Sequence, residues 1–266
     1  MPVVGRQGIS MPGDIKDLYR QVSLAWYFSL SDTYARYKHS VLGPFWLVLS
    51  TLIGIGGIAF IWGTLMAADS ETFVPSLGIG LVLWQMISGS VSGAAKLFVF
   101  QATVIKNIKT PSWRLSLQLL FQQIINFAHN LVLVILLYAI FPHTLSPLIL
   151  LAIPGFVLVL LNLYWVVQLL GFLGARYRDF DPLVTAVMPL LFFMSPVLFR
   201  GHELGSRAFL MKLNPMSYWI NIIREPMLGS VPHFSDYLVS IAMVIVGSAL
   251  AMWVTRAKSH RLAYWV

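Results

Sequence analysis

From Leu42 to Ala67 the chain contains no charged residue, and a cationic, aromatic patch, Arg36-Tyr37-Lys38-His39, stands directly before the run. A helix over residues 41–67 would be about 40 Å long, against a hydrocarbon core of roughly 30 Å. In lipid every backbone polar group must find its partner inside the protein, so a single uncharged run of this length can only be a helix. Pro44 falls where the helix should begin, a position at which its missing N–H costs nothing. The cations of the patch would sit among headgroups while the run crosses.

Five more apolar runs follow, near 76–95, 115–141, 148–175, 182–199 and 237–255. With 58% hydrophobic and 11% charged residues, and mean hydropathy +0.78, the chain reads as an all-α membrane protein with six transmembrane helices. The net charge of +8 lies between the apolar runs, so it reads as topology bias and not as a nucleic-acid surface. The absence of cysteine excludes disulfides, thiolate metal sites and cysteine nucleophiles. Pro12, Gly13, Asp14, Lys16 and Asp17 break any early apolar core, so the start does not read as a cleavable signal.

Charge then divides the chain. Segments 1–40, 96–114, 176–181 and 256–266 carry 14 of the 18 Lys and Arg residues, whereas the turns at 69–75 and 142–147 carry none. This places the four basic segments, and with them both termini, in the cytoplasm. Three parts result: residues 1–40 as a cytoplasmic N-terminal segment, 41–255 as the six-span membrane domain, and 256–266 as a cytoplasmic tail. Within the first part, Ile15, Leu18, Tyr19, Val22 and Trp26 share one face, as in an amphipathic helix lying in the interface. The segment after the fifth span is outside despite Arg200, Arg207, Lys212 and Arg224. It holds two short apolar helices around Asn214-Pro215, which fit either a re-entrant pair or a pair lying on the outer leaflet.

The chemistry on offer is narrow. No GxxxxGK[ST] loop is present, so the chain itself holds no nucleotide by that route. No Asp or Glu occurs between Thr72 and Arg178, which argues against a proton- or sodium-coupled carrier and leaves His129 without an acidic partner in its span. Gly89 and Gly93 form a GxxxG, the mark of close helix packing. Gln118, Gln122, Asn126 and Asn130 recur every fourth residue, a stripe suited to helix–helix hydrogen bonds or to a hydrated path. Trp113, Tyr138 and Trp253 sit near span ends, as interfacial aromatics do. Trp46, Phe60, Trp62, Phe192 and Phe193 lie within the first and fifth spans instead.

The block Arg36-Tyr37-Lys38-His39-Ser40-Val41-Leu42-Gly43-Pro44-Phe45-Trp46 resembles that of the permease subunits of type 2 ABC polysaccharide exporters, which export O-antigen, capsule and teichoic acid. Three more blocks agree in order and spacing: residues 104–111, Ala175-Arg176-Tyr177-Arg178-Asp179, and Asn214-Pro215-Met216 through Gly229. His39 departs from the pattern, where a further basic residue often follows. The resemblance implies a homodimer in the bacterial inner membrane, bound to two copies of an ATPase that carries the ATP and magnesium, so that this chain has no cofactor and is not an enzyme. It implies docking of that ATPase by Lys106, Lys109, Pro111 and Arg114, with Arg176, Arg178 and Asp179 alongside. It also implies a substrate path for lipid-linked polysaccharide along the dimer interface, past Trp46, Phe60, Trp62, Phe192 and Phe193, with Tyr218 and Trp219 at the outer exit. Sugar rings offer apolar faces and polar rims, and flat aromatic surfaces bind them weakly enough to let a polymer slide. A permease for drugs or lipids, or a glycan-modifying membrane enzyme, are the alternatives.

Overall fold

The computed structural model describes residues 15–66, 70–108, 110–142, 146–198 and 209–266, and these contain helices and no strand. In chain order they are α1 (Ile15–Tyr37), α2 (Phe45–Met66), α3 (Ser70–Phe100), α4 (Ala102–Asn107), α5 (Ser112–Ile140), α6 (Ala152–Arg176) and α7 (Phe180–Phe193). They continue with α8 (Phe209–Leu213), α9 (Pro215–Met227), α10 (Phe234–Lys258) and α11 (Leu262–Trp265). Five segments are long and apolar enough to cross a membrane: Phe45–Thr64, Ser70–Phe100, Ser112–Ile140, Pro147–Arg176 and Phe234–Trp265. The chain is a multi-pass membrane protein.

The helix α3 is the axis of the bundle. Of its apolar window 78% is buried inside the chain, against 17% for the windows of α2 and α10, and it packs on α2, α5, α6, α7 and α9. Small residues permit this. A Cβ on Gly174 of α6 would collide with the backbone carbonyl of Ala95, and one on Gly171 would meet the Phe98 ring. Gly89 and Gly93 face Gln123 and Leu119 of α5, so the GxxxG does bring two helices close.

The fifth apolar run departs from the expected 182–199. Its helix α7 ends at Phe193 after 14 residues, about 21 Å at 1.5 Å per residue and shorter than a bilayer core. Pro189 sits inside the helix, and a tight turn follows it, with Met194 N–H donating to Leu190 O at 3.0 Å and Ser195 N–H to Phe192 O at 3.1 Å. Pro196 has no N–H with which to go on. The carbonyls at this break are met by α9: Asn214 Nδ2 donates to Leu191 O at 2.8 Å, Ser217 Oγ to Met194 O at 3.4 Å, and the Arg224 guanidinium to Pro196 O. Thus α9 is an interior helix. Trp219, Ile220, Ile222 and Ile223 join the main core, and a Cβ on Gly155 of α6 would strike the Ile222 carbonyl.

The N-terminal helix packs on the bundle through a second face, beside the apolar one expected at the interface. Ala25, Ser29 and Thr33, spaced by one turn, are the residues buried against α5, while Ile15 is 83% and Tyr19 76% exposed. Small side chains let α1 approach, Ser29 Oγ donates to Gln118 O at 3.0 Å, and Trp26 meets Phe121 edge to face at 5.3 Å.

Candidate functional site

The surface that α2 and α7 present mixes aromatic residues with aliphatic ones such as Ile53, Ile61, Leu183 and Leu190. Trp46 is 52%, Phe60 75% and Phe193 59% exposed, whereas Trp62 and Phe192 are half-buried and packed on the core. Phe192 anchors the pair: its ring lies 5.3 Å from the Trp84 ring of α3 and 5.6 Å from Phe193, which is left facing outward. On α2, Gly54, Gly56, Gly57 and Gly63 have nothing within 4 Å of where a Cβ would be. The chain's own packing does not require these glycines; they leave an outer face with little relief.

The block at residues 36–44 is a compact turn joining α1 to α2. Ser40 N–H donates to Tyr37 O at 2.9 Å, and Gly43 N–H donates to Ser40 Oγ at 3.2 Å. Gly43 has φ 56, a left-handed conformation that a Cβ would strain. Pro44 follows, and α2 begins at Phe45, one residue beyond Pro44. Arg36 and Lys38 are exposed and Tyr37 is half-buried. Arg36 stands at the mouth of a cleft of about 310 Å3 lined by Gln85, Ser88, Gln123, Asn126 and Asn130, among others.

The end of the bundle where α3, α6 and α10 finish gathers the expected docking residues. Lys106, Arg176, Arg178 and Asp179 are exposed there, and Pro111 is half-buried at the start of α5. Arg178 Nη2 donates to Trp265 O at 3.5 Å, and the Arg176 guanidinium lies 5.6 Å from the Trp265 ring. Lys109 lies outside the described residues. Arg114 does not share this exposure. It is 8% exposed, donates to Gln21 Oε1 at 3.3 Å and to Thr110 Oγ1 at 3.1 Å, and sits over the Phe28 ring. Its guanidinium is spent on holding α1.

At the opposite end, Tyr218 and Trp219 part company. Tyr218 is half-buried, donates to Lys212 O at 2.9 Å, and lines a cavity of about 560 Å3 together with Asn221, Glu225, His233 and Asp236. Trp219 is 2% exposed and belongs to the core, so it offers no surface to a passing polymer in this conformation. Arg224, 1% exposed, carries an ion pair to Glu225 at 3.0 Å besides its bond to Pro196.

Three residues of the amide stripe of the third span bond between helices, while Asn126 donates to Gln123 of its own helix at 3.5 Å. Gln118 and Gln122 both donate to Asp32 of α1, at 2.8 and 3.0 Å. Asn130 donates to Gln85 Oε1 at 3.0 Å, and Gln85 in turn donates to Thr51 at 2.8 Å, joining α2, α3 and α5. His129 bonds back to Ile125 O at 2.7 Å. Asp32, Gln85 and Asp236 were not singled out from sequence. Asp32 stands out only as an acid in a helix whose other face is apolar, a weak signal until α5 is laid against it. Among the described residues no group of His, Cys, Asp and Glu could hold a metal ion.

Comparison with known proteins matches this arrangement to one family. The profile of the ABC-2 type transporter covers residues 24–228. The O-antigen export system permease protein RfbA of Myxococcus xanthus is 24% identical over 211 residues, covering 76% of this chain and 79% of that protein. Two proteins of the same name from Klebsiella pneumoniae are 22% and 21% identical over 225 residues, each covering 82% of this chain and 87% of the relative. With its profile running from α1 through α9, the chain belongs to the ABC-2 type transporter family.

Proposed function

We propose that this chain is the membrane subunit of an ATP-driven exporter that carries a lipid-linked polysaccharide, such as O-antigen, out of the cytoplasm across the inner membrane. The observation that carries the reading is the similarity to O-antigen export permeases over most of the chain, within a family whose match runs from α1 through α9. The exposed rings of Trp46, Phe60 and Phe193, with the open glycines of α2, support it further. In a two-fold dimer, α2 of one protomer can meet α7 of its partner, and Trp46, Phe60 and Phe193 then line the seam. Flat rings set at intervals give many weak contacts to sugar faces and no tight one, which is what a sliding polymer needs.

In this reading the ATPase docks at the end carrying Lys106, Arg176, Arg178 and Asp179, which is the cytoplasmic face by charge. The interior position of α9, capping the broken end of α7, supports a re-entrant pair at the outer face in preference to helices lying on the leaflet. ATP and magnesium are held by the partner subunit. The test is to purify the tagged chain from its own membranes and delete it in parallel. An ATPase subunit should co-purify in equal amount, and the deletion should accumulate lipid-linked glycan on the cytoplasmic side. A chain that purifies without an ATPase, with normal glycan at the surface of the deletion strain, would overturn the proposal.

A further inference from the structure

Between the ends of α6 and α10 lies a groove of about 560 Å3 that neither the path nor the helix packing uses. The two helices run side by side: Asn162 Nδ2 donates to Ser240 O at 3.1 Å in the first half of each, and Gln168 Nε2 donates to Thr255 Oγ1 at 3.0 Å in the second half of each. The rim of the groove carries Arg176, Lys258 and Arg261, and no acidic residue lines it. Its floor is apolar: Leu169, Leu173 and Leu250, with Leu173 41% and Leu250 47% exposed, open sideways onto the span surface.

We infer that this groove binds an anionic phospholipid of the adjacent leaflet, with its phosphate among Arg176, Lys258 and Arg261 and its acyl chains along Leu169, Leu173 and Leu250. Arg176 and Lys258 are the last residues of α6 and α10, so the cations sit where two apolar helices end, at headgroup height. The Arg176 guanidinium is stacked 5.6 Å from the Trp265 ring and 5.8 Å from the Tyr177 ring, which orients it while leaving its N–H groups for an acceptor. Lys258 makes no hydrogen bond or ion pair among the described residues. Asp179, exposed in the turn after Arg178, is not part of the lining. Three cations over an apolar floor match an amphiphile. A free phosphate would leave the floor uncovered, and so would an acidic peptide. The inference requires only that the chain spans a membrane; it stands apart from the cargo proposed above, and shares with the proposed ATPase contact only Arg176, which the test therefore leaves unchanged.

The cysteine-free chain makes the test direct. Leu250→Cys is labelled with a fluorophore in the full-length protein, in nanodiscs containing brominated phosphatidylglycerol or brominated phosphatidylcholine. An identical label at Ile135→Cys, 67% exposed on α5, reports ordinary lipid contact. Each cation near the surface favours an anionic headgroup by roughly fivefold, so the three together should let phosphatidylglycerol quench the Leu250 label at a mole fraction lower by roughly a hundredfold, with no preference at Ile135. Lys258→Gln with Arg261→Gln should bring the preference down to about fivefold, the share of Arg176 alone, while Lys258→Arg with Arg261→Lys should keep it. Soluble glycerol phosphate should not compete. Equal quenching by the two lipids in the unsubstituted groove overturns the inference whatever the variants do. Competition by glycerol phosphate overturns it as well, because the headgroup alone would then suffice.

Discussion

Arg114 donates from Nη1 to Gln21 Oε1 across 3.3 Å, so the first turn of α5 grips the middle of α1. This contact divides cations that lie close in sequence. Lys106 faces out from α4, while Arg114 is 8% exposed beneath α1 with Phe28 against its guanidinium. If the ATPase docks at that end as proposed, docking can be altered by two separate routes, through charge at the rim or through the seating of α1.

Replacing Arg114 with Gln should act on stability. Hydrogen bonds from a charged donor contribute about 1.5–3 kcal/mol each, and two are lost with the guanidinium. The variant should melt several degrees lower in detergent, and α1 should become more sensitive to protease. A variant with unchanged melting and an intact α1, yet weakened ATPase binding, would show Arg114 to be a docking residue after all.

Replacing Lys106 and Arg178 with Gln should do the reverse. Exposed charges at a wet rim contribute about 0–1 kcal/mol each, so the pair should leave melting unchanged and weaken ATPase association a few-fold. Raising the salt should weaken the parent complex towards the level of the variant. Full association of the double variant at low salt would remove these cations from the contact.

Asp32 holds two amides of the third span, and its loss should be felt in the membrane. With Ala at position 32, Gln118 and Gln122 are left beside an apolar neighbour, and an unmet buried polar group costs about 1–3 kcal/mol. We expect a lower melting temperature for Asp32→Ala, with partial recovery in Asp32→Asn, which retains one acceptor. If the amide stripe instead bordered a hydrated path, water would replace Asp32 and both variants would melt like the parent.

Membrane crossing was readable because lipid allows so few backbone solutions. An uncharged run such as 42–67 admits one reading, and α2 occupies most of it. The limit was reached at the fifth run. Pro189 and Pro196 are plain in the sequence, but where α7 stops depends on Asn214, Ser217 and Arg224 coming from a later helix to meet its carbonyls. Arg224 looked from sequence like an outer-loop charge, and it is among the largest fully buried side chains. Trp219, which the resemblance places with Tyr218 at the outer exit, meets the same limit: on a helix adjacent residues point about 100° apart, and here one faces a cavity while the other faces the core. The amide stripe went the other way. Its period alone pointed to a helix face, and bonding between helices is what occupies it.

The exposed aromatics give the sharpest test of the proposed path. Trp46, Phe60 and Phe193 are each more than half exposed, so replacing them with Leu removes a flat ring without opening a cavity. Each single variant should insert, melt and bind its ATPase like the parent while exporting less polymer, because stacking on a sugar face needs the ring and apolar packing does not. Trp219→Leu is the contrast. At 2% exposure it sits in the core, where truncating a large aromatic to Ala costs about 3–5 kcal/mol, and a Leu should lose a good part of that. Its defect should appear as lower abundance and melting, with flux per inserted molecule unchanged. Phe192 lies between the two cases, since its ring supports Phe193 from the Trp84 side. Its Leu variant should lower both flux and melting. The measurement is export per unit of inserted protein, set beside the melting temperature, for all five variants. Parent flux from Trp46→Leu, Phe60→Leu and Phe193→Leu together would mean that the outer faces of α2 and α7 meet lipid or a partner helix, and that the polymer travels elsewhere.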